Sequence, residues 1–227
     1  MAVFKAYDIR GRYPDEVNES LAERIGYATA RFLPGETIAV GRDVRRSAPS
    51  IAEAVAKGIH AAGKTVIDIG LSTTPMLYFA VGHGKHAGGI MVTASHNPPQ
   101  DIGMKICREE AIPIGEESGL VEIKRIVDAT DRLPPLPKPP ATRTMEVIGD
   151  YKGHVRRFLP DCRPMKVAVD AANGAVGPFF LEVFGDLPIA FTSLYLEPDG
   201  NFPNHEPDPL KDANVRELRE TVVKRGA

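Results

Sequence analysis

The chain has 227 residues, of which 43% are hydrophobic and 26% charged, and its formal net charge is −2. These proportions are typical of a folded globular protein and exclude disorder throughout. The nearly balanced charge argues against a broad nucleic-acid-binding surface. No apolar run approaches the roughly 18 residues of a membrane span, and the first residues lack the basic and apolar regions of a secretory signal. We therefore expect a soluble, cytoplasmic protein of one large or two small domains.

Short β-branched runs alternate with amphipathic stretches along the first hundred residues. The apolar spacing predicts helices over 20–32, with Ser20 as N-cap, over 49–63 and over 74–82. Strands are predicted over 38–40, over 66–69 and, bounded by Gly88-Gly89, over 90–92. This alternation indicates βαβ crossovers and an α/β fold whose sheet is mainly parallel and flanked by helices.

A proline-rich segment interrupts the alternation. Five of the eight residues 133–140 are proline, and such a run fits a stiff, extended connector rather than a helix or a central strand. We therefore divide the chain into α/β units of residues 1–140 and 141–227. In the second unit the pattern predicts helices over 145–159, 177–184 and 210–224, and strands over 167–170 and 189–194. This unit ends on a helix with no strand after it, as expected of an incomplete α/β unit.

Residues 58–65 match the phosphate-binding pattern G-x-x-x-x-G-K-[ST] letter for letter. That loop binds phosphate only when a strand precedes it and a helix follows. Here a predicted helix precedes it and a predicted strand follows. We interpret Gly63 instead as the glycine that ends the helix.

Other residue types suggest metal, thiol or hydrolase chemistry only weakly. His83 and His86 flank a predicted turn with no carboxylate or cysteine nearby, which favours surface histidines over a metal site. Cys107 and Cys162 form no CxxC pair, so free buried thiols are favoured over a disulfide or a zinc site. The serines lack the G-x-S-x-G pattern of many serine hydrolases.

Residues 93–98, Thr-Ala-Ser-His-Asn-Pro, directly follow a predicted strand. Ser95 should therefore lie beyond the carboxyl end of that strand, where open parallel sheets bind their ligands. His96 and Asn97 place further polar groups beside the hydroxyl. The alternative is an Asn-Pro turn in which Ser95 serves as a local cap, and the residues alone leave both interpretations open.

The same six residues resemble the phosphoserine loop of the α-D-phosphohexomutases, the phosphomannomutase/phosphoglucomutase family. Further segments resemble this family in order and spacing: residues 6–11 (AYDIRG), 40–43 with 46–47 (VGRD and RS), 103–106 (GMKI), 169–175 (VDAANGA) and 198–203 (PDGNFP). The resemblance covers nearly the whole chain and implies domain 1 and most of domain 2 of that fold.

Two departures from the family pattern stand out. Ile102 occupies a position where the family usually has asparagine, which removes an amide near the serine loop. The family's metal-binding run, Asp-Gly-Asp-x-Asp-Arg, is absent, as are its third and fourth domains. The resemblance therefore implies the N-terminal portion of a longer enzyme, with the missing C-terminal domains as its partners.

The resemblance implies a reversible phosphoryl transfer between the 1- and 6-hydroxyls of glucose or mannose. Phosphorylated Ser95 would donate to a hexose phosphate and give a bisphosphorylated intermediate, with hexose 1,6-bisphosphate as activator. Mg²⁺ would bridge the phosphate on Ser95 and aspartates beyond Ala227. The implied alternative is a non-catalytic, truncated homologue that binds sugar phosphate or a partner chain.

The resemblance also implies roles for individual residues. Arg10 and Lys105 match family residues near the transferring phosphoryl group, where they would stabilise charge or move a proton; the alternative is a pair of solvated surface cations. The remaining roles are loop orientation by His96 and Asn97, support of Arg10 by Tyr7, and a structural ion pair of Arg42 with Asp43 beneath the loop.

Overall fold

Six strands form one mixed sheet in the computed structural model, which describes residues 3–135, 138, 140–159 and 161–227. They are β1 (Ile9–Arg12), β2 (Thr37–Arg42), β3 (Thr65–Leu71), β4 (Gly88–Val92), β5 (Asp101–Arg108) and β6 (Arg143–Thr144), in the order β1-β5-β4-β2-β3-β6. The pairings among β4, β2, β3 and β6 are parallel, whereas β5 runs antiparallel to both β4 and β1. The α/β fold with a mainly parallel, mixed sheet is thereby confirmed.

Four helices accompany this sheet: α1 (Glu19–Phe32), α2 (Ala48–Ala61), α3 (Thr74–His83) and α4 (Leu120–Asp128). α1 shows why the sequence folds this way, because Leu21, Ile25 and Ala28 recur at helical spacing and are all buried. Its N-cap is Asn18, whose side chain accepts a hydrogen bond from the Leu21 amide at 3.1 Å, and the prediction of Ser20 is wrong.

The end of α2 decides against the phosphate-binding pattern. Gly63 follows the helix with φ +80°, a conformation that glycine adopts without strain. The amide of Gly63 donates to His60 O and that of Lys64 to Ile59 O, the two bonds of a Schellman motif. The Lys64 ammonium donates to the backbone oxygen of Leu33. Gly63 therefore ends a helix, and β3 follows directly.

A two-stranded parallel sheet lies in the later part of the chain. It pairs β7 (Met165–Asp170) with β8 (Ile189–Leu194), and its helices are α5 (Ile148–Arg156), α6 (Gly177–Phe184) and α7 (Arg216–Arg225). Phe180 of α6 packs edge-on against Phe191 of β8, with ring centroids 4.9 Å apart. The helix predicted over 177–184 and the strand predicted over 189–194 are confirmed at both ends.

The two sheets belong to separate units. The first unit extends to Ala94 and continues with Gln100–Glu146, and the second consists of Ser95–Pro99 and Val147–Ala227. The connector predicted over 133–140 lies partly outside the described residues, which omit 136, 137 and 139; its described residues are in neither helix nor strand. In the described parts of the chain, no helix is both long and apolar enough to cross a membrane.

Several predicted boundaries are wrong for identifiable reasons. The helix predicted from 145 begins at Ile148, because Arg143–Thr144 still pair with β3 and the Met145 amide donates to Asp68 O. The helix predicted from 210 begins at Arg216. Asp208 bends the chain before it, accepting from the Leu210 amide and the Asn214 side chain. Gly88 and Gly89, expected to bound β4, lie within it.

The histidines and cysteines differ in part from expectation. His83 is exposed and stacks on Phe79, but His86 is half-buried, with Nδ1 3.0 Å from the hydroxyl of Thr37. Both cysteines are free thiols, and Cys107 is buried as expected, whereas Cys162 is only partly buried. The expectation of a buried thiol at 162 is therefore wrong.

Candidate active site

The carboxyl ends of β2 and β4 lie side by side in the first unit. Their parallel register pairs Arg42 with Val92, so Asp43 and Thr93 leave the sheet together. The Asp43 amide donates to Val92 O at 3.0 Å. The Thr93 hydroxyl donates to Asp43 Oδ2 at 2.7 Å. Polar side chains therefore connect the two strand ends at the sheet edge where open α/β folds bind ligands.

Arg45 completes this cluster from the loop that follows β2. Its side chain is 0% exposed. The Asp43 carboxylate accepts from the Arg45 amide at 2.9 Å and from Nε at 3.2 Å. Nη1 of Arg45 donates to Asp101 O at 3.0 Å, at the start of β5. The ion pair of Asp43 is thus with Arg45, and the expectation of an Arg42–Asp43 pair is wrong.

Burial dominates the electrostatics of this ion pair. It raises the pKa of the Asp43 carboxyl, although hydrogen bonds from Thr93 and Arg45 oppose the shift. It also lowers the pKa of Arg45, against the attraction of Asp43. A charge in such a place is costly to leave without its partner. Removing either Asp43 or Arg45 would therefore destabilise the fold, because it would leave the other charge buried without a partner.

A second cluster forms around the Asp8 carboxylate. Asp8 Oδ2 lies 2.6 Å from Nη2 of Arg10 in β1 and 3.5 Å from Nζ of Lys105 in β5. The three side chains are 12%, 21% and 27% exposed respectively. One carboxylate thus faces two cations in a place that solvent still reaches.

The two clusters are neighbours on the same sheet. The β1–β5 register sets Arg10 opposite Gly103, and the Thr93 amide donates to Gly103 O at 2.9 Å. The charge of Arg10 also contributes to lowering the pKa of Arg45. Strands β1, β5 and β4 therefore bring the Asp8 cluster and the Asp43 cluster to one region of the first unit.

Ser95 has an unusual backbone conformation. It follows Thr93 by two residues, has φ +53° and is half-buried. For a residue with a side chain, the left-handed region costs about 1 kcal/mol or more, and such conformations often occur at functional sites. His96 is exposed and Asn97 is half-buried. All three belong to the segment Ser95–Pro99 of the second unit.

The structure brings together only some of the residues that the sequence singled out. Arg10 and Lys105 meet at Asp8, whereas the Tyr7 side chain is 82% exposed and lies next to Gly115. The sequence interpretation gave no role to Asp8, Arg45 or Thr93. A signal for Asp8 was present, because it precedes Arg10 by only two residues and carries the opposite charge.

The described residues do not by themselves form a magnesium site. Among them, no three histidine, cysteine, aspartate or glutamate side chains are grouped so that they could hold a metal ion. The carboxylates of Asp8 and Asp43 are engaged by arginine and lysine side chains. We therefore derive no reaction step through a metal ion from these residues.

Comparison with known proteins decides the family. Residues 1–133 match the model of phosphoglucomutase/phosphomannomutase alpha/beta/alpha domain I, and residues 154–227 match that of alpha/beta/alpha domain II. The chain belongs to the phosphoglucomutase/phosphomannomutase family. The resemblance found in the sequence motifs is thereby confirmed.

Individual members of the phosphoglucomutase/phosphomannomutase family are similar in sequence to this chain over nearly its whole length. A protein of Xanthomonas campestris named phosphohexose mutases is 42% identical over 230 residues, covering 100% of this chain and 51% of that protein. A phosphomannomutase of Escherichia coli is 40% identical over 236 residues, covering 100% and 52%. A phosphoglucomutase of Neisseria gonorrhoeae is 36% identical over 219 residues, covering 95% and 47%. The chain thus spans about half the length of these relatives.

Solved structures from the phosphoglucomutase/phosphomannomutase family share the fold. A member from Burkholderia thailandensis is 34% identical with a TM-score of 0.84, over 97% of this chain and 50% of that one. A protein of Thermus thermophilus described as a phosphomannomutase is 28% identical with a TM-score of 0.80, over 96% and 51%. The arrangement of strands and helices described above is therefore that of the family.

Proposed function

We propose that this chain carries the phosphoserine and neighbouring charges of a phosphohexomutase, which interconverts hexose 1-phosphate and hexose 6-phosphate. The observation that carries the proposal is Ser95, which has a left-handed conformation and follows β4; the neighbouring strand β5 carries Lys105, and β1, the strand after it, carries Arg10. The relatives at 36–42% identity are named for mutases of this kind. They favour this proposal over a non-catalytic homologue.

In the proposed reaction, phosphorylated Ser95 gives its phosphoryl group to a hydroxyl of the hexose phosphate. The bond from phosphorus to Ser95 Oγ breaks as the bond to the sugar oxygen forms, and the proton lost by the sugar balances the one that the serine oxygen gains. The resulting hexose 1,6-bisphosphate then returns its other phosphoryl group to Ser95. Free bisphosphate rephosphorylates the serine and so acts as activator.

Such transfers depend on positioning and on neutralising the charge of the phosphoryl oxygens. Arg10 and Lys105 suit this task because both are cations that meet at one carboxylate and remain partly exposed. Arginine can donate two parallel hydrogen bonds to phosphate, and lysine supplies a compact positive charge. We assign to His96 and Asn97 the orientation of the serine loop. We assign to Tyr7 the support of Arg10.

Mg²⁺ belongs to the proposal as the ion that would neutralise phosphate oxygens when bound. This chain covers about half of each relative. We propose that the other half contains the aspartate ligands of Mg²⁺ and the domains that contact the sugar. Hexose phosphates of glucose or mannose are the proposed substrates, and the cytoplasm is the proposed location.

The proposal can be tested by adding the missing half from a relative. We define the extended protein as this chain followed by the C-terminal half of the E. coli phosphomannomutase. With Mg²⁺ and glucose 1,6-bisphosphate it should convert glucose 1-phosphate to glucose 6-phosphate, as read by a coupled dehydrogenase assay. Ser95→Ala should abolish turnover and Ser118→Ala should preserve it. A folded extended protein that turns over neither glucose 1-phosphate nor mannose 1-phosphate, or turnover that survives Ser95→Ala, would contradict the proposal.

A further inference from the structure

The segment that carries Ser95 is a short loop fixed at both ends in the first unit. It leaves the sheet at Thr93, after β4, and returns at Asp101, where β5 begins. The Thr93 amide donates to Gly103 O at 2.9 Å, so the two ends lie close together. Seven residues, 94–100, lie between these ends.

One buried ion pair contacts both ends of this loop. Asp43 accepts from the Thr93 hydroxyl at 2.7 Å on the outgoing side. Arg45 donates from Nη1 to Asp101 O at 3.0 Å on the returning side. Asp43 and Arg45 are in turn joined to each other by two hydrogen bonds. A continuous chain of hydrogen bonds thus runs from Thr93 through Asp43 and Arg45 to Asp101.

The chemistry of these groups favours a fixed geometry. The Arg45 side chain is 0% exposed, and a buried guanidinium keeps its position because alternatives would leave donors unsatisfied. Hydrogen bonds to charged groups are stronger than those between neutral groups, and the stabilisation they give is comparable with the cost of one strained backbone residue. The ion pair can therefore offset the strain of the left-handed conformation at Ser95.

We propose that Asp43 and Arg45 form a clasp that positions Ser95 for phosphoryl transfer, with Thr93 as its link to the loop. This inference rests on the proposed function and deepens it. The clasp residues act through the loop, so they are positioning residues rather than catalytic ones. Loosening the clasp lets Ser95 leave the reactive geometry while the groups that bind the sugar remain.

The clasp has a specific kinetic consequence. A displacement of the nucleophile by about 1 Å can lower the rate of a positioned reaction about 100-fold. Sugar binding does not require the clasp. Thr93→Val, which keeps the shape of the side chain but removes its hydroxyl, should lower kcat of the extended protein by about 10- to 100-fold, with KM changed less than twofold. Thr93→Ser restores the donor and should restore kcat to within a few-fold.

A second measurement uses the 227-residue chain itself. Hydrogen exchange of the peptide spanning residues 92–102, followed by mass spectrometry, reports whether the loop opens. Thr93→Val should accelerate exchange there about threefold or more, because one hydrogen bond is lost, and Thr93→Ser should not. Thr130→Val is the matched control, because it removes a hydroxyl that bonds Ile126 O at the end of α4, and it should change neither exchange in this peptide nor kcat.

The outcomes separate the clasp from the proposed function. Absence of turnover in the unsubstituted extended protein contradicts the function, and exchange alone then decides whether the clasp exists. Turnover with equal exchange in the Thr93→Val and unsubstituted chains contradicts the clasp. A Thr93→Ser chain as impaired as Thr93→Val would also overturn it, because the hydroxyl would then not be what matters.

Discussion

Lys105 Nζ lies 3.5 Å from the carboxylate of Asp8, a contact that joins the middle of β5 to the residue just before β1. The same carboxylate oxygen is 2.6 Å from Arg10 Nη2. Asp8 therefore fixes two cations relative to each other, although nearly a hundred residues separate them along the chain. Their spacing is a property of the β1–β5 pairing.

Asp8→Asn should impair turnover far more than folding. The amide keeps the size of the side chain but loses the charge that holds Arg10 and Lys105 together. We expect kcat of the extended protein to fall about 100-fold through misplacement of these cations. The free energy of unfolding should change by only about 1 kcal/mol, because all three groups remain partly solvated. Steady-state kinetics and urea denaturation measure the two effects.

The control for this substitution is Asp128→Asn, which removes the partner of Lys124 on the exposed side of α4. It should leave kcat unchanged. An Asp8→Asn protein with normal kcat would show that Asp8 does not organise the two cations.

Gly103→Ala tests the close approach of β1 and β5. A β-carbon at this position would lie 2.1 Å from Ile9 O, so the strands would have to separate. We expect a loss of about 3 kcal/mol in the free energy of unfolding, measured by urea denaturation. Gly82→Ala is the control, because a β-carbon there meets nothing within 4 Å in α3. It should stabilise the protein by up to about 1 kcal/mol. Equal stabilities of the two variants would contradict this packing.

The elements that the sequence predicted best are those whose signals are local. α6 has Pro178 in its first turn and a glycine directly after its last residue, and both of its ends were predicted. β8 is a β-branched and aromatic run between turn residues. In both cases neighbouring residues decide where the element begins and ends.

The elements that the sequence did not predict depend on distant partners or lack caps. β1 is four residues long, and β6 is two residues long and exists through its pairing with β3. α4 begins after Gly119, which provides no side-chain cap, although the spacing of Leu120, Ile123 and Val127 would have predicted it. Short strands carry too few residues for a periodic signal.

The candidate site shows the same division. Ser95, Arg10 and Lys105 were reachable because contiguous motifs contain them. Asp43 was assigned the wrong partner, because residue order alone does not reveal that Arg45 turns back towards it and Arg42 does not. The contact of Arg45 with Asp101 spans 56 positions and exists only through the β2–β4–β5 arrangement.

The two thiols should differ sharply in reactivity. Burial raises the pKa of Cys107 to about 12, and the thiolate is the reactive form. Iodoacetamide at pH 8 should label Cys162 in the folded chain and Cys107 only after unfolding, as read by peptide mass spectrometry. Equal labelling of both thiols in the folded chain would contradict the burial of Cys107.

The raised pKa also predicts a pH dependence. The folded state keeps the Cys107 proton over a range in which the unfolded chain loses it. Its contribution to stability is therefore complete below about pH 8.5 and lost as pH rises towards 12. Cys107→Ala should flatten this part of the stability curve, measured by urea denaturation at several pH values, whereas Cys162→Ala should not.

The 227-residue chain alone should show no mutase turnover, even with phosphate on Ser95. Its described residues hold no cluster of metal-ligating side chains. Because Mg²⁺ requires near-octahedral oxygen geometry, one phosphate oxygen among waters should hold it weakly. The assay is formation of glucose 6-phosphate from glucose 1-phosphate with Mg²⁺ and bisphosphate. Turnover by the chain alone that disappears in Ser95→Ala would show that it is sufficient for the reaction.

The identity of the phosphorylated residue tests the central claim most directly. The extended protein is incubated with glucose 1,6-bisphosphate and Mg²⁺, digested, and analysed by intact-mass and phosphopeptide mass spectrometry. We predict a gain of one phosphate, located on Ser95 and lost in Ser95→Ala, because this serine lies beyond β4 in the loop whose two ends, Thr93 and Asp101, contact Asp43 and Arg45. Phosphate located instead on Ser47, Ser72 or Ser118, or no phosphate on a folded extended protein, would contradict the account.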